Sequence, residues 1–316
     1  MTELHSPTVT VVVINYNQTD LTLACLASLS ALHTPLARVV VVDNGSFDDS
    51  VARLQGHVPA ADLLVLPVNV GFTAANNAGC RFALQTGEPA YVWFLNNDTL
   101  VDPGALDALV NILRARPQVG AAASVLYDMG TDRVQAYGGG WIDLWAGRAQ
   151  MFTAPVPEER FDFVAGTSLL VRVTAIAQVG LLDERFFMYW EDADFSFRLR
   201  RAGWTLTVAP ESTVWHLGGA STGVNTVKRK SVTFERYFSQ STVVFYRKHS
   251  RIPAVPLLRG LGWYFVKRLI KREWPQARAI VQGTLHALRV TAAHRATLVG
   301  PAAPSSTAVT SGHAPN

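Results

Sequence analysis

Residues 9–46 read VTVVVINYNQTDLTLACLASLSALHTPLARVVVVDNGS. Residues 9–14 form a β-branched run without apolar–polar alternation, the mark of a strand covered on both faces. Asn17, Thr19 and Asp20 offer helix caps, and Leu21, Cys25, Leu29 and Leu32 follow at helical spacing. Residues 39–42 (VVVV) repeat the first pattern and end in the turn-rich DNGSFDDS. Strand, helix and a second doubly buried strand predict a parallel βαβ unit with a right-handed crossover. Outward from it, residues 63–66 give a third short strand, and Val70-Gly71 opens an Ala- and Asn-rich helical segment. Residues 91–95 (YVWFL) give a fourth strand, ending at Asn96-Asn97-Asp98. The fold class predicted is α/β, a Rossmann-like, mostly parallel sheet flanked by helices. Beyond Pro117, residues 137–145 (YGGGWIDLW) read as a glycine-rich loop and 154–158 as a connector. Residues 163–173 read as a strand around a small-residue turn, and 204–208 and 212–216 as two last strands.

The chain has 316 residues, 49% hydrophobic and 16% charged, which excludes a disordered protein and a disulfide-built scaffold. At this length a core forms without metal or disulfide staples. Cys25 and Cys80, both in apolar helix-like segments, are expected as free thiols in a reducing compartment. No leader is expected from MTELHSPT, and no apolar run reaches the roughly 18 residues of a membrane span. A cytoplasmic protein is the expectation. Charge divides the chain sharply. Residues 1–227 carry 13 Lys and Arg against 22 Asp and Glu, whereas 228–316 carry 15 against 2. The boundary expected near Lys228 separates a catalytic domain (1–227) from a basic helical appendage (228–300) and a small, Pro-rich, disordered tail (301–316). An acidic domain suits a divalent cation; a basic appendage suits anionic lipid or nucleic acid.

Polar residues gather where the strands end, at Asn15-Tyr16-Asn17, Asp43-Asn44-Gly45-Ser46 and Asn96-Asn97-Asp98. Each alone makes a turn; three together converge on the crevice where open α/β sheets bind ligands. Asp98 is a hard-oxygen ligand for Mg²⁺ or Mn²⁺, and His216 offers an imidazole after the last strand, either as ligand or as structure. Glu191, Asp192 and Asp194 follow the apolar run 186–190. They read either as the acidic first turn of a helix or as desolvated carboxylates fit to act as a base. The glycine fingerprint of dinucleotide enzymes, the phosphate loop of NTPases and the hydrolase nucleophile elbow are all absent.

Taken in order, Val13-Ile14-Asn15-Tyr16-Asn17, Val42 to Ser46, Asn69-x-Gly71-Phe72 with Asn76-Asn77-x-Gly79, Leu95 to Asp98, and Glu191-Asp192-x-Asp194 resemble family 2 glycosyltransferases. The likeness spans residues 8–220 and is narrower toward the bacterial rhamnosyltransferase-like branch. It implies a GT-A fold, a nucleotide-diphosphate sugar donor, Mg²⁺ or Mn²⁺, and inversion at the anomeric carbon. On this resemblance Asp192 is the base, and Asn15, Tyr16, Asp43, Asn76, Asn77 and Asn97 lie at the donor. Gly166, Thr167, Glu191 and Asp194 lie on the acceptor side, with Asp194 and Glu191 alternatively serving the helix start. Asp98, His216 and Asn96 hold the metal. Asn96 stands where the family's metal motif has its first aspartate, which removes one negative charge.

The branch favours dTDP-rhamnose, with UDP-galactofuranose and other UDP-hexoses behind it, and a lipid-linked or polysaccharide acceptor in bacterial surface-glycan synthesis. Residues 247–274 interleave Leu257, Leu261, Phe265 and Ile270 with Lys267, Arg268, Lys271 and Arg272, and carry Trp263 and Trp274. Such a stretch either lies on an anionic leaflet, peripheral to the inner membrane face, or packs its apolar side on the catalytic domain. Three readings compete with sugar transfer to such acceptors: a non-catalytic nucleotide-sugar binder, a nucleic-acid binder and a nucleotidyltransferase. A crevice lined with acids disfavours nucleic acid.

Overall fold

The computed structural model describes residues 8–218 and 230–298; the expected boundary at Lys228 and the expected disordered tail lie outside the described residues. The first half alternates as the sequence requires: β1 (Val9–Asn15), α1 (Thr19–Leu29), β2 (Arg38–Asp43), α2 (Ser50–Gln55), β3 (Leu63–Val65), α3 (Phe72–Thr86) and β4 (Tyr91–Asn96). The four strands pair in parallel in the order β3-β2-β1-β4, with Val12 opposite both Val40 and Phe94. The missing alternation in β1 has its explanation in the two faces. Val9, Val11 and Val13 pack with Cys25 and Leu29 of α1, while Val12 and Ile14 pack with Ala75, Cys80 and Ala83 of α3. β4 divides likewise, Trp93 to one side and Phe94 to the other. Both cysteines are free and buried, and burial pushes each thiol up to about 12.

The second half adds β5 (Thr99–Val101), α4 (Ala105–Ala115), β6 (Val119–Asp128), β7 (Val134–Tyr137), β8 (Gly139–Asp143), β9 (Arg148–Met151), β10 (Phe163–Val164), β11 (Ser168–Arg172), α5 (Val173–Val179), α6 (Glu191–Arg201) and β12 (Thr205–His216). The sheet continues as β4-β11-β6-β12-β5, with β7 on β6. β11 runs antiparallel to both neighbours, β12 is parallel to β6, and β5 is antiparallel to β12. The sheet is therefore parallel around β1 and mixed beyond β4. Two local expectations change. The glycines of 137–145 do not make a loop: β8 lies between β10 and β9 in a three-stranded antiparallel sheet. The two last strands are one, β12, whose register shifts between Ala209 and Thr213, where Pro210 cannot donate to the ladder.

The appendage consists of α7 (Val232–His249), α8 (Ala254–Pro256), a π-helical turn (Leu257–Gly262), α9 (Trp263–Ile270) and α10 (Trp274–Leu298), with α7 and α10 packed along each other. It has no separate core. Val243, Val244, Phe245 and Tyr246 of α7 share one apolar cluster with Phe163, Phe186 and Ala193 of the α/β part, and with Leu261 and Ile280. The π-helical turn meets the β8–β9 hairpin backbone to backbone: a Cβ at Gly260 would fall 2.1 Å from the Gly147 carbonyl oxygen. No helix among the described residues is long and apolar enough to cross a membrane.

Candidate active site

The carboxyl ends of β1, β2 and β4, the start of α6, the end of β12 and the inner side of the appendage enclose one cavity of about 1100 Å³. Asp98, Asp192 and His216 all line it. That volume exceeds what one small ligand occupies and leaves room for two.

Strand register brings Asp98 and His216 together. β12 places His216 opposite Thr99, and the Leu217 N–H donates to the Asp98 carbonyl at 2.9 Å. His216 Nε2 then stands 3.2 Å from Asp98 Oδ1. The other ring nitrogen, Nδ1, lies 2.6 Å from Gln135 Oε1. Gln135 Nε2 donates to Asp128 Oδ1 at 3.1 Å, so its oxygen faces the ring and His216 Nδ1 carries the proton. Nε2 is thus the ring nitrogen left facing the Asp98 carboxylate. At 3.2 Å the two atoms stand at the separation of neighbouring ligands on one cation. Asn96 lines the same cavity, and its Oδ1 is buried without a hydrogen-bond partner among the described residues. A carboxylate, an imidazole and an amide oxygen fit Mg²⁺ or Mn²⁺. His, Cys, Asp and Glu alone form no group of three around a common point among the described residues, so a metal here would draw on the neutral amide as well.

Among the residues expected on the acceptor side, the Gly166 N–H donates to Asp192 Oδ2 at 3.1 Å and the Ala193 N–H to Oδ1 at 2.7 Å. These bonds favour the ionised form, but burial outweighs them and lifts Asp192 above the ordinary carboxylate range. Thr167 lies beside Gly166 on the cavity wall. Tyr189 and Trp190, consecutive residues ahead of α6, both have φ of 70°, a left-handed conformation costly for large side chains. That turn aims Glu191 and Asp192 inward. Glu191 is 8% exposed, its Oε2 has no partner among the described residues, and burial with the Asp192 charge pushes it up to about 8.

Asp194 follows the second of its two expected readings, structure at the helix start rather than acceptor contact. It is fully buried, does not line the cavity, and pairs with Arg198 Nε at 2.9 Å, Lys248 Nζ at 2.6 Å and His249 Nε2 at 2.7 Å. Burial alone would raise it, yet these partners hold it below the usual carboxylate value. Its work is to fasten α6 to α7, not to touch the acceptor.

The residues expected at the donor divide similarly. Tyr16 and Asn97 line the cavity, joined by Asn44, Asn69 and Phe72. Asn15 and Asp43, expected there, are fully buried behind that wall. Asn15 Nδ2 donates to Asp43 Oδ2 at 2.8 Å, and Ser46 donates through N–H to Oδ1 at 2.9 Å and through Oγ to Oδ2 at 2.7 Å. Asp43 thus pins the turn that presents Asn44. Asn76 bonds the Phe72 carbonyl within its own helix and lines only a small void next to Glu191 and Asp192. Asn77 bonds both N–H and carbonyl of Leu182, tying α3 to the segment before α6. The sequence reading missed Gln135, which carried no local signal, and the appendage side chains Phe238, Thr242 and Tyr264 on the far wall.

A family model described as "Glycosyltransferase like family 2" matches residues 7–242. The chain belongs to that family. The N-acetylglucosaminyl-diphospho-decaprenol L-rhamnosyltransferase of Mycobacterium tuberculosis is 29% identical over 221 residues, 63% of this chain and 72% of that one. The low-salt glycan biosynthesis hexosyltransferase of Haloferax volcanii is 22% identical over 294 residues, 88% and 90% of the two chains. Among solved structures, GalNAc-T7 with UDP, GalNAc and Mn²⁺ superposes with TM-score 0.58 at 18% identity, covering 79% of this chain, which spans only 52% of that protein. The mannosyltransferase PcManGT of Pyrobaculum calidifontis, in complex with GDP-Man and Mn²⁺, gives 0.53 at 19% identity, covering 94% and 79%. Both likenesses fix the GT-A fold for this glycosyltransferase.

Proposed function

We propose that this glycosyltransferase moves one sugar from a nucleotide-diphosphate donor to a hydroxyl of a lipid-linked or polysaccharide acceptor, with inversion. dTDP-rhamnose ranks first as donor and UDP-sugars second. The observation that carries the reading is the meeting of Asp192 with the Asp98–His216 pair around one cavity. Support for donor and acceptor comes from the Mycobacterium relative, whose name specifies rhamnosyl transfer to a lipid diphosphate.

Asp192 takes the proton from the acceptor hydroxyl as that oxygen attacks the anomeric carbon. The Gly166 and Ala193 N–H groups hold its carboxylate in place, and its raised affinity for protons makes it a stronger base. One displacement needs no second carboxylate acting as nucleophile. Tyr16, Asn44 and Asn97 bind the donor across the strand ends, and two substrates held in one cavity replace a bimolecular encounter with an oriented one. Asp98, His216 and Asn96 would hold the divalent ion. When bound, it supplies positive charge against the departing diphosphate.

The test is a donor screen reading nucleoside-diphosphate release, with and without acceptor. Rhamnose transfer from dTDP-rhamnose that stops in EDTA and returns with Mg²⁺ or Mn²⁺ is the expected result. Undiminished turnover without metal would remove the role given to Asp98 and His216. Work at the inner membrane face in surface-glycan synthesis accords with the basic appendage.

A further inference from the structure

The cavity has a second end. Away from Asp98 its walls are Arg148 of β9 and Lys230, Arg259 and Lys267 of the appendage, interleaved with Trp141, Trp263 and Tyr264. Arg148, Arg259 and Lys267 stand exposed at the cavity mouth, with Lys230 half-buried among them. Arg198, Lys248 and Arg268 are ion-paired, whereas none of the four has a carboxylate within ion-pair distance among the described residues. The segment's own two acids are engaged elsewhere: Glu235 and Glu273 both pair with Arg268, at 2.7 and 2.6 Å. Asp143, whose carboxylate accepts the Trp145 and Ala146 N–H groups, feels Arg259 and Arg148 without pairing to them. Instead the cations rest on rings: Lys230 Nζ lies 3.8 Å from the Phe234 centroid, Arg259 5.9 Å from Trp145 and Lys267 5.6 Å from Trp263. Lys230 is half-buried, and burial lowers its proton affinity. Unpaired cations gathered at the mouth of one cavity select for an anion.

An apolar path leads from this end to the surface. Trp263, which lines the cavity, is 52% exposed, and Val266 and Ile270 follow it on the same face of α9. Leu258, one turn earlier, is 74% exposed. One cavity thus joins a base, a group of cations and an exposed apolar strip. A free sugar or polysaccharide has no use for the last two. An amphiphile with a phosphate between its sugar and its hydrocarbon chain matches all three.

We propose that this end of the cavity is the subsite for the phosphate or diphosphate of a lipid-linked acceptor, with Arg148, Lys230, Arg259 and Lys267 holding the anion and Trp263 guiding the chain out. The inference rests on the acceptor reading above, but its test needs no sugar transfer. Farnesyl diphosphate serves as probe, titrated against the full chain by tryptophan fluorescence, beside farnesol, inorganic diphosphate and phosphatidylglycerol vesicles. Farnesyl diphosphate should bind at least tenfold more tightly than farnesol or inorganic diphosphate. The double variant R259Q/K267Q should lose at least tenfold for farnesyl diphosphate while its melting temperature and dTDP affinity stay unchanged. Arg148→Gln, on the β-hairpin rather than the appendage, should lose in the same direction should the double variant fail to fold.

Equal binding of inorganic diphosphate would make this a free-anion site, and equal binding of farnesol would leave the cations without a role. Vesicles competing as well as farnesyl diphosphate would assign the cations to bilayer headgroups. A parallel loss of dTDP affinity would give them to the donor. Each of these outcomes overturns the proposal, as does unchanged farnesyl diphosphate binding in all variants. Failure of the transfer reading shows separately, as absence of nucleoside-diphosphate release in the donor screen.

Discussion

Asp192 receives one backbone N–H on each oxygen; an amide in its place matches the carboxylate in size, keeps one of the two acceptors and loses the base. Asp192→Asn should lower kcat by about 10²–10⁴-fold, the usual weight of a positioned proton acceptor, with dTDP affinity within twofold of the parent. Near-normal turnover would remove the assignment. Glu191 makes a second prediction through stability. Its proton is held more tightly in the folded chain, up to about 8 against an ordinary 4.5, so the folded state binds more protons than the unfolded one between those values. Its contribution is intact below about 4.5 and is lost as pH rises toward 8. Glu191→Gln, which is neutral throughout, should melt close to the parent at pH 5 and above it at pH 9. Melting curves that stay parallel across that range would contradict the burial argument. Gln135 acts through His216, and Gln135→Leu should weaken Mn²⁺ binding roughly 10–100-fold, read by electron paramagnetic resonance without any substrate.

Elements explain what the sequence disclosed and what it hid. β1 and β2 were legible because doubly buried strands write themselves as unbroken valine runs, and Asp98 because it closes such a strand. Motif residues were harder to sort by role. Asn77 and Gly79 belong to the same family-like string as Asn69, yet Asn77 braces Leu182, and Gly79 is small because a Cβ there would lie 2.5 Å from Val12 Cγ1. A short motif marks positions the fold depends on, whether or not they touch a ligand. β8 was hidden because its glycines mimic a loop, and the far wall of the cavity because α7 and α9 reach it from distant sequence. The hairpin after β8 carries a prediction of its own. Gly147 has φ of +70°, and a Cβ there would fall 2.2 Å from the Pro256 carbonyl oxygen. Gly147→Ala should destabilise the chain by about 1–3 kcal/mol in denaturant titration, because neither backbone can yield without parting hairpin from appendage. A change of a few tenths would mean that the contact is slack.

At the scale of the whole molecule, the basic segment packs one side on the catalytic part, and the reading that places it on a leaflet becomes a prediction about its other side. Its inner face joins the core through Leu261, Tyr264 and Phe265, while Ile252, Leu258, Ile270 and Trp274 stay between 56% and 74% exposed on the outer face. Lys271 and Arg272 stand beside that outer strip, in a segment where both acids are turned to Arg268. Exposed apolar side chains ringed by unneutralised cations are what an anionic leaflet binds, through partial insertion of rings and Coulomb attraction that salt weakens. The full chain should therefore float with phosphatidylglycerol vesicles at low salt, float less at high salt, and stay behind with phosphatidylcholine alone. Ile270→Glu with Trp274→Glu puts charge on side chains that touch little protein, so it should abolish flotation and leave melting unchanged. If the doubly substituted chain floats as well as the parent, the strip is not the docking face, and the cavity end at Trp263 has to receive its acceptor without help from a bilayer alongside.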